Sequence, residues 1–317
     1  MLLALDVGNT NTVLGLYSLD DSVASDLRPS GPVPSSPAPS SADPSSKIPA
    51  TLVAHWRVST HRTQTADEYG VLFTNLFNLH GLSTTQVRHI IISSVVPPVE
   101  STLLHVCESY FRLKPLFVEP GIKTGMPVLV DNPAELGADR LVNAIAAFEK
   151  YGGASKGPVI VVDFGTATTF DVVSARGEYL GGIISPGLGI SADALFSRAA
   201  RLGRVDIKRP PKVIGTTTVT HIQSGLYYGY IDLVDGILER MIAEMAEDPR
   251  VGAGSPKILA TGGLASLIAG DSRYISTIDD MLTLEGLRLV FARNRPEQTG
   301  SGSAIIGKPS RPRKRSN

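Results

Sequence analysis

The chain has 317 residues, 42% of them hydrophobic, and 30 lysine and arginine residues balance 30 aspartate and glutamate residues. This length corresponds to about two domains at roughly 150 residues each, and the apolar content excludes a globally disordered chain. The balanced charge argues against a nucleic-acid partner bound through a basic surface. The single cysteine, Cys107, excludes an intrachain disulfide framework and a CxxC metal cluster.

Transmembrane and secreted classes are also disfavoured. The longest apolar runs, such as 89–96 and 159–162, are interrupted far short of the roughly 20 residues that cross a bilayer. Asp6 follows a very short apolar run that has no basic start and no small-residue cleavage site, unlike a signal peptide. We therefore expect a cytoplasmic protein with neither a membrane nor a nucleic-acid partner.

The apolar pattern predicts alternating strands and helices. Short apolar runs that stop at glycine, proline or a polar residue predict strands, and apolar residues at helical spacing predict helices. In chain order we expect strands at 2–6 and 12–17, a helix at 65–79, a strand at 89–94, a helix at 102–110, a strand at 115–118, a helix from Asn132, strands at 159–162 and 170–173, a helix at 225–244, a strand at 257–260 and a helix at 283–291.

The helix from Asn132 has the clearest start signal. Asn132 is a favourable N-cap residue, Pro133 fits the first helical position, and Glu135 stands three residues after the cap. The apolar positions that continue this helix are Leu141, Val142, Ile145 and Phe148. On this prediction Asp139 shares one polar helix face with Glu135 and Asn143.

Two segments do not fit this pattern. Residues 28–50 contain seven prolines and seven serines in 23 positions, which predicts a flexible surface insertion between two neighbouring strands. A proline-rich docking motif is the alternative interpretation of this segment. Residues 296–317 are polar and end in KPSRPRKRSN, which predicts a disordered basic tail.

An internal repeat organises the rest of the chain. LLALDVGNTNTVLGLY at 2–17 aligns without gaps with VIVVDFGTATTFDVVS at 159–174, so that Asp6 falls on Asp163, Gly8 on Gly165 and Thr12 on Thr169. Each copy consists of an apolar strand, a terminal aspartate, a glycine-containing turn and a second strand. We therefore expect two related lobes facing a cleft, at 1–135 and 136–295.

The repeated turns have the composition of phosphate-binding loops. Glycine lets the backbone approach a ligand closely, and exposed N–H groups with Thr and Asn side chains can hold phosphate oxygens. An aspartate beside them is useful if Mg²⁺ lies between it and the phosphates. A third glycine-rich turn, TGG at 261–263, follows another strand. The alternative is an ordinary Asx hairpin turn, and no Walker A motif is present.

Six motifs occur in the order and spacing found in one family. They are DVGNTNT at 6–12, ISSVVPPV at 92–99, DNPAELGADR at 131–140, VVDFGTATTFD at 161–171, GGIISPGL at 181–188 and TGG at 261–263. With them the chain resembles a type III pantothenate kinase of the actin-like ATPase and sugar-kinase superfamily. The resemblance implies an α/β fold with two related lobes of the actin-like ATPase, or ribonuclease H-like, type and a nucleotide cleft between them.

The resemblance also implies an activity and a set of site residues. The activity is ATP-dependent phosphorylation of pantothenate to 4′-phosphopantothenate, the first step of coenzyme A biosynthesis. The implied ATP-binding residues are Asp6, Val7, Gly8, Asn9, Thr10, Asn11, Thr12, Val13 and Thr166, and the implied pantothenate-binding residues are Gly137, Ala138, Asp139, Arg140 and Thr218. Asp139 is the implied proton acceptor. Adjacent Arg140 is suited to the substrate carboxylate, although the pair also has the spacing of an ordinary helix-surface charge pair.

Two cations and a homodimer complete the implied site. Asp6 would help to hold Mg²⁺ with ATP, and Asp163 would bind a monovalent cation, K⁺ or NH₄⁺. The chain departs from the family at Val130, where many members have tyrosine, and it lacks the lysine that often follows the GNT triplet. Two alternatives stay open: a non-catalytic transcriptional accessory factor of the same family, and a kinase for another small alcohol such as a sugar.

Overall fold

A computed structural model of the protein describes residues 1–19, 50–199 and 201–295. The predicted insertion at 28–50, except for Ala50, and the predicted tail at 296–317 lie outside the described residues. In the described ranges, no helix is long and apolar enough to cross a membrane.

The described ranges contain strands and helices in alternation. The strands are β1 (Leu2–Val7), β2 (Asn11–Ser18), β3 (Thr51–Ser59), β4 (His89–Ser94), β5 (Leu116–Phe117), β6 (Val159–Phe164), β7 (Ala167–Val173), β8 (Tyr179–Pro186), β9 (Lys257–Thr261) and β10 (Thr277–Ile278). The helices are α1 (Ala66–Leu79), α2 (Pro97–Val106), α3 (Ala138–Tyr151), α4 (Leu188–Arg198), α5 (Thr218–Glu247), α6 (Ala265–Ile268) and α7 (Leu282–Asn294).

The two sheets have the same topology. The first has the strand order β3-β2-β1-β4-β5 and the second β8-β7-β6-β9-β10. In each, the first three strands are antiparallel and the last two are parallel to the central strand. The repeat seen in the sequence is therefore a duplicated structural unit. The predicted fold class, two related α/β lobes of the actin-like ATPase type, is confirmed.

The gap-free alignment of the repeat is wrong after the turn. Asp6 pairs with Val13 in the first sheet, whereas Asp163 pairs with Thr169 in the second. The second turn is thus one residue shorter, so equivalent residues beyond it differ by 169 − 13 = 156 rather than 157 positions. Thr10 is therefore equivalent to Thr166, and Thr12 to Thr168 rather than Thr169.

Strand alternation places the two repeated aspartates on the faces that look toward each other. Leu2 and Ala4 of β1 and Val159 and Val161 of β6 pack in one apolar cluster that the two lobes share. Asp6 and Asp163 continue these alternations at the strand ends. The side chains between them face outward, into two separate cores, one in each lobe. The shared core therefore ends at the two carboxylates.

Helices α3 and α7 pack tightly within this shared core. A Cβ atom on Gly286 of α7 would lie 2.0 Å from the Val142 carbonyl oxygen of α3, so only glycine allows this approach. A Cβ on Gly15 of β2 would likewise lie 2.7 Å from Cδ1 of Leu284. Helix α7 therefore packs against the first sheet although it follows the second in sequence. The lobe boundary at 135/136 stays a prediction.

The predicted helix start at Asn132 is wrong. Residues Pro133–Glu135 form a separate 3-10 turn, and α3 begins at Ala138 with Gly137 as its N-cap. The Asn132 side chain does not cap a helix, because its amide donates instead to Glu135 Oε1 at 2.7 Å. Glu135 therefore lies outside the helix that carries Asp139. The start signal is real, but it belongs to the short turn.

Two other helices begin earlier than predicted because of the residues at their N-termini. Helix α2 begins at Pro97, five residues before the predicted start, because proline fits the first turn of a helix. Helix α5 begins at Thr218, where Thr217 and Thr220 form reciprocal capping hydrogen bonds. Strand β8 and helix α4 were not predicted, and both border the cleft.

Candidate active site

The two repeated turns meet at one point of the cleft. The first turn is closed by a hydrogen bond from Gly8 N–H to the Asn11 carbonyl at 3.0 Å. The hydroxyls of Thr10 and Thr166 hydrogen-bond each other at 2.8 Å, although the residues are 156 positions apart. Both side chains are exposed to the cleft. The structure therefore brings together the two turns predicted to bind phosphate.

Helix α4 begins against the second turn. Gly187, its N-cap, donates its N–H to the Thr166 carbonyl at 3.2 Å. A Cβ at position 187 would lie 2.2 Å from that carbonyl oxygen and 2.7 Å from the Gly165 carbonyl, so the approach requires glycine. The N-terminus of a helix carries unpaired N–H groups and a partial positive charge, which favour an anion.

Three carboxylates converge beside these turns. Asp6 and Asp163 are the penultimate residues of the central strands, and Asp139 lies in the first turn of α3. Burial, with the negative charges of Asp139 and Asp163, raises the pKa of Asp6 well above its ordinary value. Burial and the charge of Asp139 raise the pKa of Asp163 to about 7. Such crowding of like charges is costly without a cation.

Asn143 couples α3 to the second lobe. It lies one helical turn after Asp139 and is 1% exposed. Its Nδ2 donates to Asp163 Oδ2 at 2.9 Å, while its Oδ1 is buried without a partner among the described residues. The sequence predicted the polar face that holds Asp139 and Asn143, but not the contact with Asp163. An unpaired buried acceptor beside a carboxylate is chemically suited to a cation.

Arg140 is held by a buried carboxylate. Its Nε and Nη2 both lie 2.8 Å from Oδ1 of Asp171, which is fully buried. Tyr179 donates its hydroxyl to the same oxygen at 2.6 Å, and Thr169 donates to Oδ2 at 3.1 Å. Gly182 lies opposite Asp171 on β8, where a Cβ would come within 2.7 Å of Arg140 Nη2. The interpretation of Arg140 as part of an exposed helix-surface pair is therefore wrong.

The backbone of Arg140 also fixes Asp139. Its N–H donates to Asp139 Oδ1 at 2.8 Å. Burial raises the pKa of Asp139, and this hydrogen bond opposes the increase. A carboxylate with a raised pKa is a stronger base, as proton abstraction from an alcohol requires.

A cavity of about 720 Å³ opens beside the GADR motif. Gly137 and Ala138 line it, whereas Asp139 and Arg140 do not. Its three acidic lining residues are Glu100, Glu119 and Glu135, and no lysine, arginine or histidine lines it. Val130 does not line it either and instead packs against the shared core. The cavity adjoins the predicted substrate residues but favours uncharged groups over a carboxylate.

Comparison with known proteins identifies the family. The profile of the type III pantothenate kinases matches residues 46–240. A type III pantothenate kinase from Koribacter versatilis is 59% identical over 295 residues, which cover 93% of this chain and 96% of the relative. One from Acidobacterium capsulatum is 50% identical over 302 residues, or 95% of this chain and 98% of the relative. The chain belongs to the type III pantothenate kinase family.

A solved structure agrees with the fold of this kinase family member. The structure, described as a Baf family transcriptional activator from Campylobacter jejuni, has a TM-score of 0.50 and 16% identity. The match covers 92% of this chain and 98% of that chain. At this identity the likeness concerns the fold alone.

One predicted site residue of the kinase lies apart from the others. Thr218 is the first residue of α5 and is exposed. Among the described residues, no hydrogen bond or ion pair links it to the carboxylates. Its neighbours Val213, Ile214 and Val219 are large apolar residues that are also exposed.

Two arginines lie in the kinase cleft although the sequence motifs did not assign them to it. Arg62 donates from Nη2 to Asn9 Oδ1 of the first turn at 2.9 Å. Arg57 lies on β3, with Nη1 3.2 Å from the position that a Cβ on Gly263 would occupy. Alternation in TLVAHWRVST places Arg57 on the strand face opposite Trp56. Its approach to the TGG turn of the second lobe depends on how the two lobes pack and is not encoded locally.

Proposed function

We propose that this chain transfers the γ-phosphoryl group of ATP to pantothenate, which gives 4′-phosphopantothenate and begins coenzyme A biosynthesis. One observation carries the proposal beyond family membership: three half-buried carboxylates converge where two turns of related lobes meet. Phosphoryl transfer requires positioned phosphates, neutralised charge and a base near the attacking hydroxyl. The proposal places the reaction in the cytoplasm.

The phosphates of ATP are assigned to the two turns. The proposed ATP-binding residues are the first turn, Asp6 to Val13, and Thr166 of the second turn. The contact between Thr10 and Thr166 supports this assignment, because it brings both hydroxyls within reach of one phosphate chain. The beginning of α4 at Gly187 adds backbone donors beside Thr166.

The carboxylate cluster fits bound cations. Asp6 is proposed to help hold Mg²⁺ with ATP, and Asp163 to bind K⁺ or NH₄⁺, together with Asn143 Oδ1. Hard cations prefer oxygen ligands of these kinds. Burial and the neighbouring carboxylates raise the pKa values of Asp6 and Asp163, so a bound cation would stabilise their ionised forms. No group of three His, Cys, Asp or Glu residues in the described ranges forms a preassembled metal site. When bound, the cations would neutralise part of the negative charge of the phosphates.

Asp139 is the proposed proton acceptor. Burial raises its pKa, and the Arg140 N–H holds one carboxylate oxygen in place. It would accept the hydroxyl proton of pantothenate as the oxygen attacks the γ-phosphorus. Gly137, Ala138 and Arg140 are the proposed pantothenate-binding residues beside it. The Asp171 contacts fix the Arg140 guanidinium before substrate arrives.

The proposed role of Thr218 in pantothenate binding requires a homodimer. Its exposed position and the absence of a described contact with the carboxylates are explained if it serves a site across an interface. Large apolar side chains with high exposure support such an interface: Ile184 is 64% and Ile214 85% exposed. A second copy of the chain would cover them.

The test is a coupled assay of ADP release with ATP, Mg²⁺, K⁺ and pantothenate. The product is checked by mass spectrometry, with Asp139→Asn as the inactive control. A panel of sugars and other small alcohols tests the alternative kinase, and DNA binding tests the accessory-factor alternative. Lack of turnover of pantothenate by the native chain under varied cations would overturn the proposal.

A further inference from the structure

Arg57 occupies the cleft face of the first sheet. It pairs with Val13 of β2, and Val13 pairs with Asp6 of β1. Residues paired directly across neighbouring strands project from the same face of a sheet. Arg57 and Asp6 therefore lie in one row, on the side that looks toward the second lobe.

The guanidinium of Arg57 extends toward the other functional turns. Its Nη1 lies 3.2 Å from the position that a Cβ atom on Gly263 would occupy, so the guanidinium lies against the TGG turn. Its charge lowers the pKa of both Asp6 and Asp163, against the larger effect of burial. One cation therefore lies near both repeated turns and the third glycine-rich turn.

The guanidinium of Arg57 has no direct partner within the described part of the chain. The Arg57 side chain is exposed and forms no ion pair or hydrogen bond with any other residue in the described ranges. Arg140 is different, because buried Asp171 already compensates its charge. The two turns, at 6–13 and 163–169, contain no lysine or arginine of their own. A triphosphate placed there, beside three aspartates, needs a positive charge from outside the turns.

We infer that Arg57 of β3 binds the phosphate groups of the nucleotide. It supplies a cationic side chain to a cleft whose two phosphate turns contain no lysine or arginine. The inference rests on the proposed function only in taking ATP as the bound nucleotide. A guanidinium offers a fork of N–H donors that matches phosphate oxygens. Arg62, bound to Asn9, supports the same turn from its edge.

The experiment measures ATP binding by calorimetry without pantothenate, followed by steady-state kinetics. Arg57→Gln is expected to weaken ATP binding about tenfold to a hundredfold, the loss of one charge-assisted contact. KM for ATP rises with it, while KM for pantothenate changes by less than about twofold. Arg57→Lys restores part of the affinity, and Arg57→Met keeps the apolar stem as a second charge-removing variant.

Arg88→Gln is the matched control. Arg88 is exposed and immediately precedes β4, at the end of the same sheet that lies away from Asp6. Unchanged ATP affinity in Arg57→Gln and Arg57→Met, with native melting temperatures, would overturn the inference even if pantothenate is phosphorylated. Failure of the native chain to phosphorylate pantothenate, with ATP affinity that still depends on Arg57, would overturn the proposed function alone.

Discussion

The hydroxyls of Thr10 and Thr166 lie 2.8 Å apart, and the two residues occupy equivalent positions in the duplicated sheets. The pseudo-symmetric lobes therefore meet through the same residue of each turn. Each lobe presents a terminal aspartate beside this contact. The duplication thus produces a single two-sided site rather than two independent ones.

Replacing Thr166 by valine is expected to raise KM for ATP about fivefold to tenfold. The change keeps the side-chain shape and removes a hydroxyl worth about 1 kcal/mol as a hydrogen-bonding group. Steady-state kinetics at varied ATP measure the effect.

Thr168→Val is the control for this change. Thr168 lies two residues after Thr166, within β7, is buried and hydrogen-bonds the hydroxyl of Tyr230 on the opposite face of the sheet. It should lower the melting temperature without changing KM for ATP. Equal effects of the two variants on KM would contradict the assignment of Thr166 to the nucleotide.

Asp139→Asn is expected to lower kcat by about 10²- to 10⁴-fold, the usual contribution of a general base. It should also stabilise the fold, because one negative charge is removed beside Asp6 and Asp163. Kinetics and thermal unfolding of the same preparation test both results. A variant that is active, or inactive and less stable, would argue against Asp139 as a crowded catalytic base.

Tyr179→Phe tests whether the buried partners of Arg140 position it for substrate. The variant removes one of the donors to Asp171 Oδ1 and keeps the ring. We expect KM for pantothenate to rise about threefold to tenfold with a smaller change in kcat, and Asp171→Asn to act in the same direction more strongly.

Tyr230→Phe provides the comparison for Tyr179→Phe. Its hydroxyl is a buried hydrogen-bonding group of the same lobe, bonded to Thr168 on the face away from the cleft. It is expected to affect stability alone. If both tyrosine variants change only stability, Tyr179 has no positioning role.

The sequence predicted the duplication because each lobe repeats a local pattern of strand, aspartate and glycine turn. It also predicted that Asp139 and Asn143 share a helix face, since helical spacing is local. The contacts of Arg140 with Asp171 and of Asn143 with Asp163 were not predictable, because they depend on how α3 packs across the second sheet. The one-residue difference between the turns was hidden by an alignment that needed no gap. Only the strand register shows that Thr168, not Thr169, matches Thr12.

The unfolding free energy should depend on pH through Asp163. Its pKa rises from an ordinary value of 3.8 to about 7, because burial and the charge of Asp139 disfavour the carboxylate. The folded protein then binds this proton more tightly than the unfolded chain, so the contribution to stability is present below about pH 4 and is lost as pH rises toward 7.

Asp163→Asn should make the unfolding free energy, measured with denaturant, decrease less steeply between pH 5 and pH 8. Potassium chloride, compared with tetramethylammonium chloride at equal ionic strength, should restore stability at about pH 8 but not at about pH 5, because a bound cation replaces the proton only on the ionised carboxylate. An identical pH dependence in native protein and Asp163→Asn would show that this carboxyl group does not titrate in the range.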